Sequence, residues 1–392
     1  MASTSVLRIG IDYTAAVRQG GGIGRYTRNL IRAISQCDSR NQYVLLVAGG
    51  WGAGDGLGIW PDNFQVRQLP LSDRWMNLLW QRLRLPVPVQ WFSGSIHLYH
   101  SPDFVLPPTG RTPAVLTVHD LSFLRVPQFF VAGFRDYLEM AVSRAVIRAA
   151  HVLADSESTR RDLVELMAVD RHKVTVVYPG VEARFRPVQD QTPLESVRAR
   201  YGLPQRFILG LSTLQPRKNF SGLITAFARL VAGQQEIFGE ADLGLVIAGG
   251  QGWMYDETLA SVERLGLQGR VHFPGFVADE DLPALYTLAS VFAFPSWYEG
   301  FGLPVLEAMA CGTPVVTADN SSLPEVAGEA ALMVGAGDPD GLCRALGQAL
   351  SDEALRERMV AAGTKQAQRF SWRVAAKKVL QAYEAHAGDR KC

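Results

Sequence analysis

Short apolar runs rich in β-branched residues alternate with amphipathic helical segments along the whole chain. Because neighbouring parallel strands need a crossover, usually a helix, this alternation predicts doubly wound α/β sheets. At 392 residues the chain is long enough for two such domains. A polar stretch with two prolines, Pro187 to Pro193, separates two repeats of the pattern. We therefore predict domains at 1–187 and 188–370, followed by a terminal helical segment at 371–392.

Charge and cysteine usage exclude several classes of protein. The 39 basic and 38 acidic side chains leave a net charge of +1, which gives no electrostatic reason to expect nucleic acid as a partner. The four cysteines are scattered without C-x-x-C spacing, so neither a zinc site nor a disulfide framework is indicated. The first residues lack the pattern of a signal peptide, and no apolar run approaches the ~20 residues that span a bilayer. We predict a cytoplasmic protein.

The stretch from Phe294 to Val316 carries the strongest concentration of chemical groups. An apolar strand, Val291 to Phe294, is followed by a glycine-containing loop and a helix to about Ala310. Glu299 lies on the loop and Glu307 on the helix. The N–H groups of Gly302 and Leu303 would lie at the helix N-terminus, where partial positive charge favours a phosphate. A carboxylate beside such an anion site suits a hydroxyl-rich ligand that carries a phosphate.

Two further features could contribute to an anion site. Arg217 and Lys218 lie at a strand-to-helix turn, where adjacent cations can neutralise a diphosphate, although such pairs usually face solvent. Gly22 and Gly24 belong to a glycine loop between the first strand and a helix from Arg25 to Ser35. That loop is a weak signal, because its spacing is not G-x-G-x-x-G, and a flexible loop is the simpler interpretation.

His119 and Asp120 end the predicted strand Ala114 to Val118. The carboxyl end of a strand in an open α/β sheet is where such folds place ligands, whereas a packed or capping histidine is the alternative. Asp120 could orient the His119 ring by a hydrogen bond, or it could cap the following segment.

Four strings resemble the retaining glycosyltransferases of family 4: GGGIGRYTRNL, TVHD, STLQPRKNFSGLITAF and EGFGLPVLEAMACGTPVV. The resemblance covers nearly the whole chain. It implies the GT-B fold, in which two Rossmann-like domains face each other across the active cleft. It also implies that the terminal helix crosses back onto the first domain.

The resemblance also implies roles for individual residues. His119 and Glu299, with Asp120, would form the catalytic group beside the transferred sugar. Glu307 would hold the ribose, and backbone groups at Phe276 and Val277 the base. The donor diphosphate would be bound by Arg217, Lys218, Gly22, Gly24, Gly302 and Leu303.

The expected reaction is transfer of a hexose, with retention, from a nucleotide-diphosphate sugar to a hydroxyl of a glycan or lipid-linked acceptor. We expect GDP-mannose as donor first and a UDP-hexose second, with no metal or other cofactor. Two Asp-x-Asp triplets, Asp279 to Asp281 and Asp338 to Asp340, lie at predicted helix starts and are interpreted as caps. The alternatives are a GT-B protein that binds sugar nucleotide without catalysis, and a phosphorylase or epimerase on a similar double fold.

One segment raises the question of a membrane partner. Between positions 73 and 92, Trp75, Trp80 and Trp91 occur near Arg74, Arg82 and Arg84. Such a patch can lie in a membrane interface, although it more often packs a helix onto a sheet. The hypothesis is peripheral contact with the inner face of the cell membrane.

Overall fold

In both halves of the chain the apolar runs form parallel strands. The computed structural model describes residues 6–49, 58–83, 85–233 and 243–387. Two compact units result: unit 1 consists of Met1–Leu124, Ala132–Gly180 and Ser371–Cys392, and unit 2 of Arg125–Val131 and Val181–Phe370. The boundary after Gly180 lies a few residues before the predicted position 187. Arg84 and part of the sequence between Gly49 and Trp60 lie outside the described residues.

Unit 1 contains a seven-stranded parallel sheet in the order β3-β2-β1-β4-β5-β6-β7. Its strands are β1 Arg8–Asp12, β2 Gln42–Ala48, β3 Phe64–Leu69, β4 Leu98–Ser101, β5 Ala114–Val118, β6 His151–Ala154 and β7 Val174–Val176. The helices that begin in this unit are α1 Thr14–Arg18, α2 Gly22–Cys37, α3 Asp73–Asn77, α4 Gln90–Ser93, α5 Ser122–Arg125, α6 Ala132–Arg148, α7 Glu157–Met167 and, from the end of the chain, a helix at Trp372–His386.

The core of unit 1 forms where the terminal helix and α2 pack against the sheet. Leu30 and Ile31 of α2 share one apolar cluster with Val379 of the terminal helix. A buried polar contact also ties that helix to the sheet, because the Tyr383 hydroxyl lies 2.6 Å from His100 Nδ1 on β4. Both termini of the chain therefore contribute to one folding unit.

Unit 2 contains a six-stranded parallel sheet in the order β10-β9-β8-β11-β12-β13. Its strands are β8 Arg206–Leu211, β9 Leu243–Ala248, β10 Val271–Gly275, β11 Val291–Phe294, β12 Val315–Ala318 and β13 Ala331–Val334. In chain order its helices are α8 Gln191–Tyr201, α9 Phe220–Gly233, α10 Asp256–Arg264, α11 Leu282–Leu288, α12 Leu303–Ala310, α13 Leu323–Ala327, α14 Pro339–Ser351 and α15 Glu353–Ala367. The terminal helix of unit 1 is accordingly α16.

Each sheet has one point where the strand order reverses. In unit 1 the chain proceeds outward from β1 to β3 and then returns to place β4 on the other side of β1. In unit 2 it proceeds from β8 to β10 and returns to place β11 beside β8. Loops diverge at such a switch point and leave a crevice at the carboxyl ends of the strands, where ligands of open α/β sheets bind.

Local structure departs from the sequence-based expectation at several positions. The first long helix begins at Gly22 rather than at Arg25. The segment at 73–92 is divided into α3, a π-helical turn at Leu78–Arg82 and α4. Asp338 caps α14 through the N–H of Gly341, as predicted. Asp281 lies at the start of α11 but accepts hydrogen bonds from Arg200 and Tyr201 instead of capping the helix.

No helix within the described ranges combines the length and the apolar character needed to cross a bilayer.

Gly24 has a packing role in addition to its place in the predicted glycine loop. A Cβ built at this position would lie 2.0 Å from the carbonyl oxygen of Gln19 and 2.8 Å from that of Ala15. Only glycine lets α2 approach the backbone of α1 this closely. At Gly22, two positions earlier, the same Cβ would meet nothing within 4 Å.

These two glycines provide a matched test of packing. We expect Gly24→Ala to lower the free energy of unfolding by about 1–3 kcal/mol, as in other overpacked sites. Gly22→Ala should leave it unchanged or raise it by up to about 1 kcal/mol, because alanine restricts the unfolded chain. Urea denaturation followed by circular dichroism measures both; equal stability of the two variants would contradict the packing role of Gly24.

Candidate functional site

The switch point of unit 2 brings two distant segments together. A short 3-10 helix, Pro216–Lys218, follows β8, and the loop with Glu299 follows β11. Because β8 and β11 are neighbouring parallel strands, both segments emerge at the same edge of the sheet. The backbone N–H of Trp297 donates to the carbonyl of Arg217 at 2.9 Å, which joins the two segments directly.

Three charged side chains are buried at this junction. Lys218 Nζ lies 2.6 Å from Glu299 Oε1, and Arg217 Nη1 lies 3.2 Å from Glu299 Oε2. Arg217 also donates to the carbonyl oxygen of Tyr298 at 2.5 Å. Two cations thus surround one carboxylate away from bulk water, where interactions between charges are strong. Buried cations of this kind are able to bind an anion through charge-assisted hydrogen bonds.

The cations determine the protonation state of Glu299. Burial alone would raise the pKa of the Glu299 carboxyl, but the charges of Lys218 and Arg217 outweigh it and hold the pKa below its ordinary value. Glu299 is therefore an ionised carboxylate, which only accepts hydrogen bonds. Hydroxyl groups of a ligand are suitable donors to it.

Several polar side chains fix this geometry. Asn219, with a left-handed φ of 58°, donates to the carbonyls of Pro295 and Ala336 at 3.0 and 2.7 Å. The N–H of Glu299 donates to Ser321 Oγ, and Ser322 Oγ donates to the carbonyl of Glu299, both at 2.9 Å. The sequence prediction missed the two serines, because they lie 22 and 23 positions from Glu299 along the chain.

Gly302 begins the helix that follows this loop. Its φ of 109° lies in the region that favours glycine, and a Cβ there would lie 2.9 Å from the Leu323 side chain. Leu303 is the first residue of α12. The helix dipole makes this end of α12 partly positive, which favours an anion near the backbone of Gly302 and Leu303.

Glu307 occupies a different environment from Glu299. It lies in the second turn of α12, is 1% exposed, and accepts a hydrogen bond from the Tyr286 hydroxyl of α11 at 3.0 Å.

The predicted nucleoside segment, Phe276 and Val277, follows β10, two strands away from β8. There the Phe276 side chain is 64% exposed and Val277 is buried. Phe276 and Val277 lie at the same carboxyl edge of the sheet as the cluster of Arg217, Lys218 and Glu299.

In unit 1, His119 follows β5 and is held on both ring nitrogens. Nδ1 lies 2.7 Å from Asp155 Oδ2, and Nε2 lies 2.9 Å from the carbonyl oxygen of Pro102. A carbonyl oxygen and a carboxylate both accept, so the arrangement suits an imidazolium that donates twice. Burial alone would lower the pKa of His119, but Asp155 outweighs it, with a further contribution from Asp103, and raises the pKa to about 9.

The orienting role considered for Asp120 is wrong. One Asp120 oxygen accepts from the N–H of Ser122 at 2.8 Å and from its hydroxyl at 2.5 Å, so Asp120 caps the start of α5. Asp155 orients the His119 ring instead. The sequence carried a signal for it, since Asp155 directly follows β6, the strand beside β5.

The predicted glycine pair lies in the first turn of α2. Gly21 is the N-cap, Gly22 is exposed, and Gly24 is buried against α1.

The predicted site residues fall into two groups. In unit 2, Arg217 and Lys218 are both in contact with Glu299. His119 and the two glycines belong to unit 1. Among the described residues, no group of three or more His, Cys, Asp or Glu side chains is arranged to hold a metal ion.

Comparison with known proteins identifies the family. The model of Glycosyltransferase Family 4 matches residues 20–185, and that of Glycosyl transferases group 1 matches residues 195–366. O-antigen chain mannosyltransferase B of Escherichia coli is 34% identical over 291 residues, which cover 74% of this chain and 74% of that protein. D-inositol 3-phosphate glycosyltransferase of Salinispora tropica is 34% identical over 310 residues, which cover 75% and 62%.

A longer relative and two solved structures complete the comparison. Serotype-specific mannosyltransferase WbdA of Escherichia coli is 34% identical over 292 residues, 72% of this chain but 34% of WbdA. Sucrose-phosphate synthase from Thermosynechococcus elongatus superimposes with a TM-score of 0.75 at 20% identity, over 97% of this chain and 98% of that one. HepE from Anabaena, in complex with UDP and glucose, gives a TM-score of 0.74 at 19% identity, over 97% and 100%.

The chain belongs to glycosyltransferase family 4 and is a hexosyltransferase. The predicted family is confirmed, and so is the predicted GT-B fold, in which each of two Rossmann-like domains contains a parallel sheet.

The His119–Asp155 pair should give unfolding a measurable pH dependence. The folded pKa of His119, about 9, lies above the ordinary value of 6.5. The stabilisation is therefore fully present below pH 6.5 and is lost as the pH rises through 9. Over that range we expect the free energy of unfolding to fall by up to about 1.4 kcal/mol per pH unit.

The measurement is urea denaturation at several pH values between 6 and 10. His119→Gln should remove this slope, whereas His172→Gln, at an exposed position, should retain it. A wild-type slope that persists in His119→Gln would assign the pH dependence to another group.

Proposed function

We propose that this family 4 glycosyltransferase moves mannose from GDP-mannose to a hydroxyl of a glycan or lipid-linked acceptor, with retention and without a metal ion. The observation that carries the proposal is the buried Arg217–Lys218–Glu299 cluster at the switch point of unit 2. Mannose is favoured by the relatives that are named mannosyltransferases. A UDP-hexose is the second candidate for the donor, and it would replace GDP-mannose if the base site binds uracil.

In this proposal, the cluster acts on the leaving group. As the bond between the sugar C1 and the phosphate oxygen breaks, negative charge grows on the diphosphate. Arg217 and Lys218 are already ordered, so they stabilise that charge without reorganisation. The N-terminus of α12 at Gly302 and Leu303 adds dipoles of the same sign. Fixed cations and dipoles thus supply the charge that a metal ion would otherwise provide.

Glu299 and Glu307 would position the donor. Glu299 is ionised, so it can accept hydrogen bonds from hydroxyls of the transferred sugar while the diphosphate shares its cations. Glu307, buried on the second turn of α12, would accept from the ribose hydroxyls. The exposed ring at Phe276 and the backbone at Val277 would border the base.

Retention is supported by how Glu299 is held. A carboxylate paired with two cations is a weak nucleophile, which disfavours a covalent glycosyl intermediate on this residue. In the proposed same-face path, the acceptor oxygen bonds to C1 as the phosphate oxygen leaves. The acceptor proton passes to that departing oxygen, so atoms and charges balance without a protein base.

Lys218→Ala is the cleanest test, because it leaves Arg217 and Glu299 as a balanced pair. We expect the variant to unfold like the wild type but to lose turnover by about 100-fold or more, the cost of removing one preorganised charge. Glu307→Ala should weaken nucleoside diphosphate binding and lower turnover to a similar extent. Lys365→Ala, at an exposed position in unit 2, is the control.

The measurements are thermal shifts with GDP, UDP, ADP and their sugars, followed by donor turnover with and without EDTA. GDP and GDP-mannose should stabilise the wild type most, and EDTA should have no effect. Near-normal turnover in Lys218→Ala would remove the diphosphate assignment. Stabilisation by UDP alone would replace the donor, and inactivation by EDTA would remove the metal-free mechanism.

We also propose peripheral membrane contact through segment 73–92, in support of a lipid-linked acceptor. Trp75 is 58% and Trp91 is 74% exposed, and Leu83 is also exposed. Trp80 differs from these, because its indole N–H donates to the carbonyl of Val87 at 3.0 Å and its ring packs on Phe92. The exposed aromatic and aliphatic groups, with the exposed Arg74 and Arg82, suit an anionic interface.

Flotation with vesicles of phosphatidylglycerol and phosphatidylcholine tests this contact. Trp75→Ala combined with Trp91→Ala should reduce the bound fraction roughly fivefold, since both changes remove apolar contact area. Leu166→Ala, an exposed apolar position on α7, should bind like the wild type. If the double variant floats as well as the wild type, this segment is not the contact.

A further inference from the structure

A short segment from the first half of the chain packs within unit 2. Arg125–Val131 belongs to unit 2, although the chain on either side of it belongs to unit 1. Pro127–Phe129 forms a 3-10 turn, and the fixed φ of proline suits the first position of such a turn. The N–H of Phe130 donates to the carbonyl of Pro127 at 3.1 Å, which closes the turn. We call Pro127–Phe130 the strap.

Two aromatic side chains of the strap lie against two tryptophans of unit 2. The ring centroids of Phe129 and Trp297 are 5.9 Å apart. Those of Phe130 and Trp253 are 5.8 Å apart. Aromatic pairs at such distances attract each other beyond the effect of the area that they bury. The Trp253 indole N–H also donates to the carbonyl oxygen of Phe129 at 2.8 Å, so a hydrogen bond adds to the two ring contacts.

Trp297 belongs to the loop that carries Glu299. Its N–H donates to the carbonyl of Arg217, and the carbonyl of the next residue, Tyr298, accepts from the Arg217 guanidinium at 2.5 Å. A Cβ built at Gly337, after β13, would lie 3.2 Å from the Trp297 ring, so this ring lies close to the Gly337 backbone. The position of Trp297 therefore affects the backbone that holds Arg217 and Glu299.

Trp253 belongs to the loop after β9, which is bonded to the chain just before the two cations. The N–H of Leu214 donates to the carbonyl of Gly250 at 2.8 Å, and the N–H of Gly252 donates to the carbonyl of Leu214 at 3.0 Å. A Cβ at Gly252 would lie 2.6 Å from the Leu214 carbonyl oxygen, so the two backbones are in close contact. Leu214 comes two residues before the 3-10 helix Pro216–Lys218. The strap thus contacts both loops that are hydrogen-bonded to this region.

The backbone beside Trp253 indicates that this contact holds the loop in place. Met254, the next residue, has a left-handed φ of 53° and an exposed side chain. This conformation is unfavourable for a residue other than glycine, and it persists only where surrounding contacts maintain it. The hydrogen bond and the ring contact of Trp253 are contacts of this kind.

We propose that the strap positions the Arg217–Lys218–Glu299 cluster, and that Phe129 and Trp253 are positioning residues for binding of the donor diphosphate. The inference rests on the proposed function, because it takes this cluster as the diphosphate site. Charges that are already fixed stabilise an anion better than charges that must first reorganise. Lysine and arginine side chains have many rotamers, so their placement depends on how firmly the surrounding backbone is held.

The inference predicts an effect on phosphate recognition that is separate from stability. Calorimetry measures the Kd of the full-length protein for GMP and GDP, and for UMP and UDP. Because the cluster would bind the diphosphate, the ratio of the monophosphate Kd to the diphosphate Kd reports how well the cluster is positioned. We expect this ratio to be at least ten in the wild type for the preferred base. A general loss of stability would leave the ratio unchanged.

Variants of the strap and of its partner should lower this ratio. Phe129→Ala should reduce it at least fivefold, because the variant lacks the ring that contacts Trp297. Trp253→Phe keeps an aromatic ring but removes the indole N–H, and we expect a reduction of about threefold. Phe129→Tyr, which keeps the ring, should retain the wild-type ratio. Leu259→Ala, at an exposed apolar position on α10, is the control and should also retain it.

Hydrogen exchange followed by mass spectrometry tests the loop without any nucleotide. The N–H of Trp297 is protected by its hydrogen bond to the carbonyl of Arg217. Phe129→Ala should speed exchange in the peptide that contains Trp297 at least tenfold, whereas Leu259→Ala should not. Circular dichroism melting confirms that each variant is folded. If Phe129→Ala does not fold, Trp253→Phe decides the question by the same two measurements.

The outcomes separate this inference from the proposed function. Unchanged exchange at Trp297 in Phe129→Ala, or an unchanged Kd ratio, would overturn the positioning role of the strap. A wild type that binds GDP and UDP no more tightly than GMP and UMP would overturn the diphosphate assignment of the proposed function. In that case, faster exchange in Phe129→Ala would still support the strap as the element that holds the loop.

Discussion

The pairing of Glu299 with both Lys218 and Arg217 is the interaction on which the site of unit 2 depends. Removing three charges from water carries a large desolvation cost, which mutual attraction offsets only when the geometry is good. Here Glu299 is held by two cations at once. In the proposed reaction, the same two cations would also face the diphosphate of the donor. A buried ion pair is by itself weak evidence for stability, so a role in ligand binding is the hypothesis that we favour for this cluster.

The two units follow one topological rule with different residues. In each sheet the strand order reverses once, and polar groups lie at that point on the carboxyl edge. Unit 2 places Arg217, Lys218 and Glu299 there. Unit 1 places Asp12 and Asp103 there, beside aromatic side chains. The residues that follow the strand ends therefore determine the chemistry that each unit offers at this position.

Sequence reasoning recovered the features that depend on local pattern. The strands at Ala114–Val118 and Val291–Phe294 were predicted with correct bounds, because apolar β-branched or aromatic runs stand out locally. The partner of His119 was not predicted, since Asp155 is 36 positions away and becomes a neighbour only through the order of the strands. Asp120 was considered for that role because it is adjacent in sequence, but its side chain is used by the following turn.

Gly24 illustrates the opposite error, in which a local pattern suggests a ligand although backbone packing already requires glycine. Glycine loops carry both meanings, and only the distance from a built Cβ to its neighbours separates them.

The protonation states of His119 and Glu299 constrain the proposed chemistry. His119 donates from both ring nitrogens and has a raised pKa, so it is a fixed cation rather than a proton acceptor at neutral pH. Glu299 is ionised, but two cations stabilise that state and make it a poor base. Neither group is suited to take the proton of an attacking hydroxyl. In the proposed transfer, the departing diphosphate would gain negative charge and would be the better proton acceptor, which is why we propose attack from the face that the diphosphate leaves.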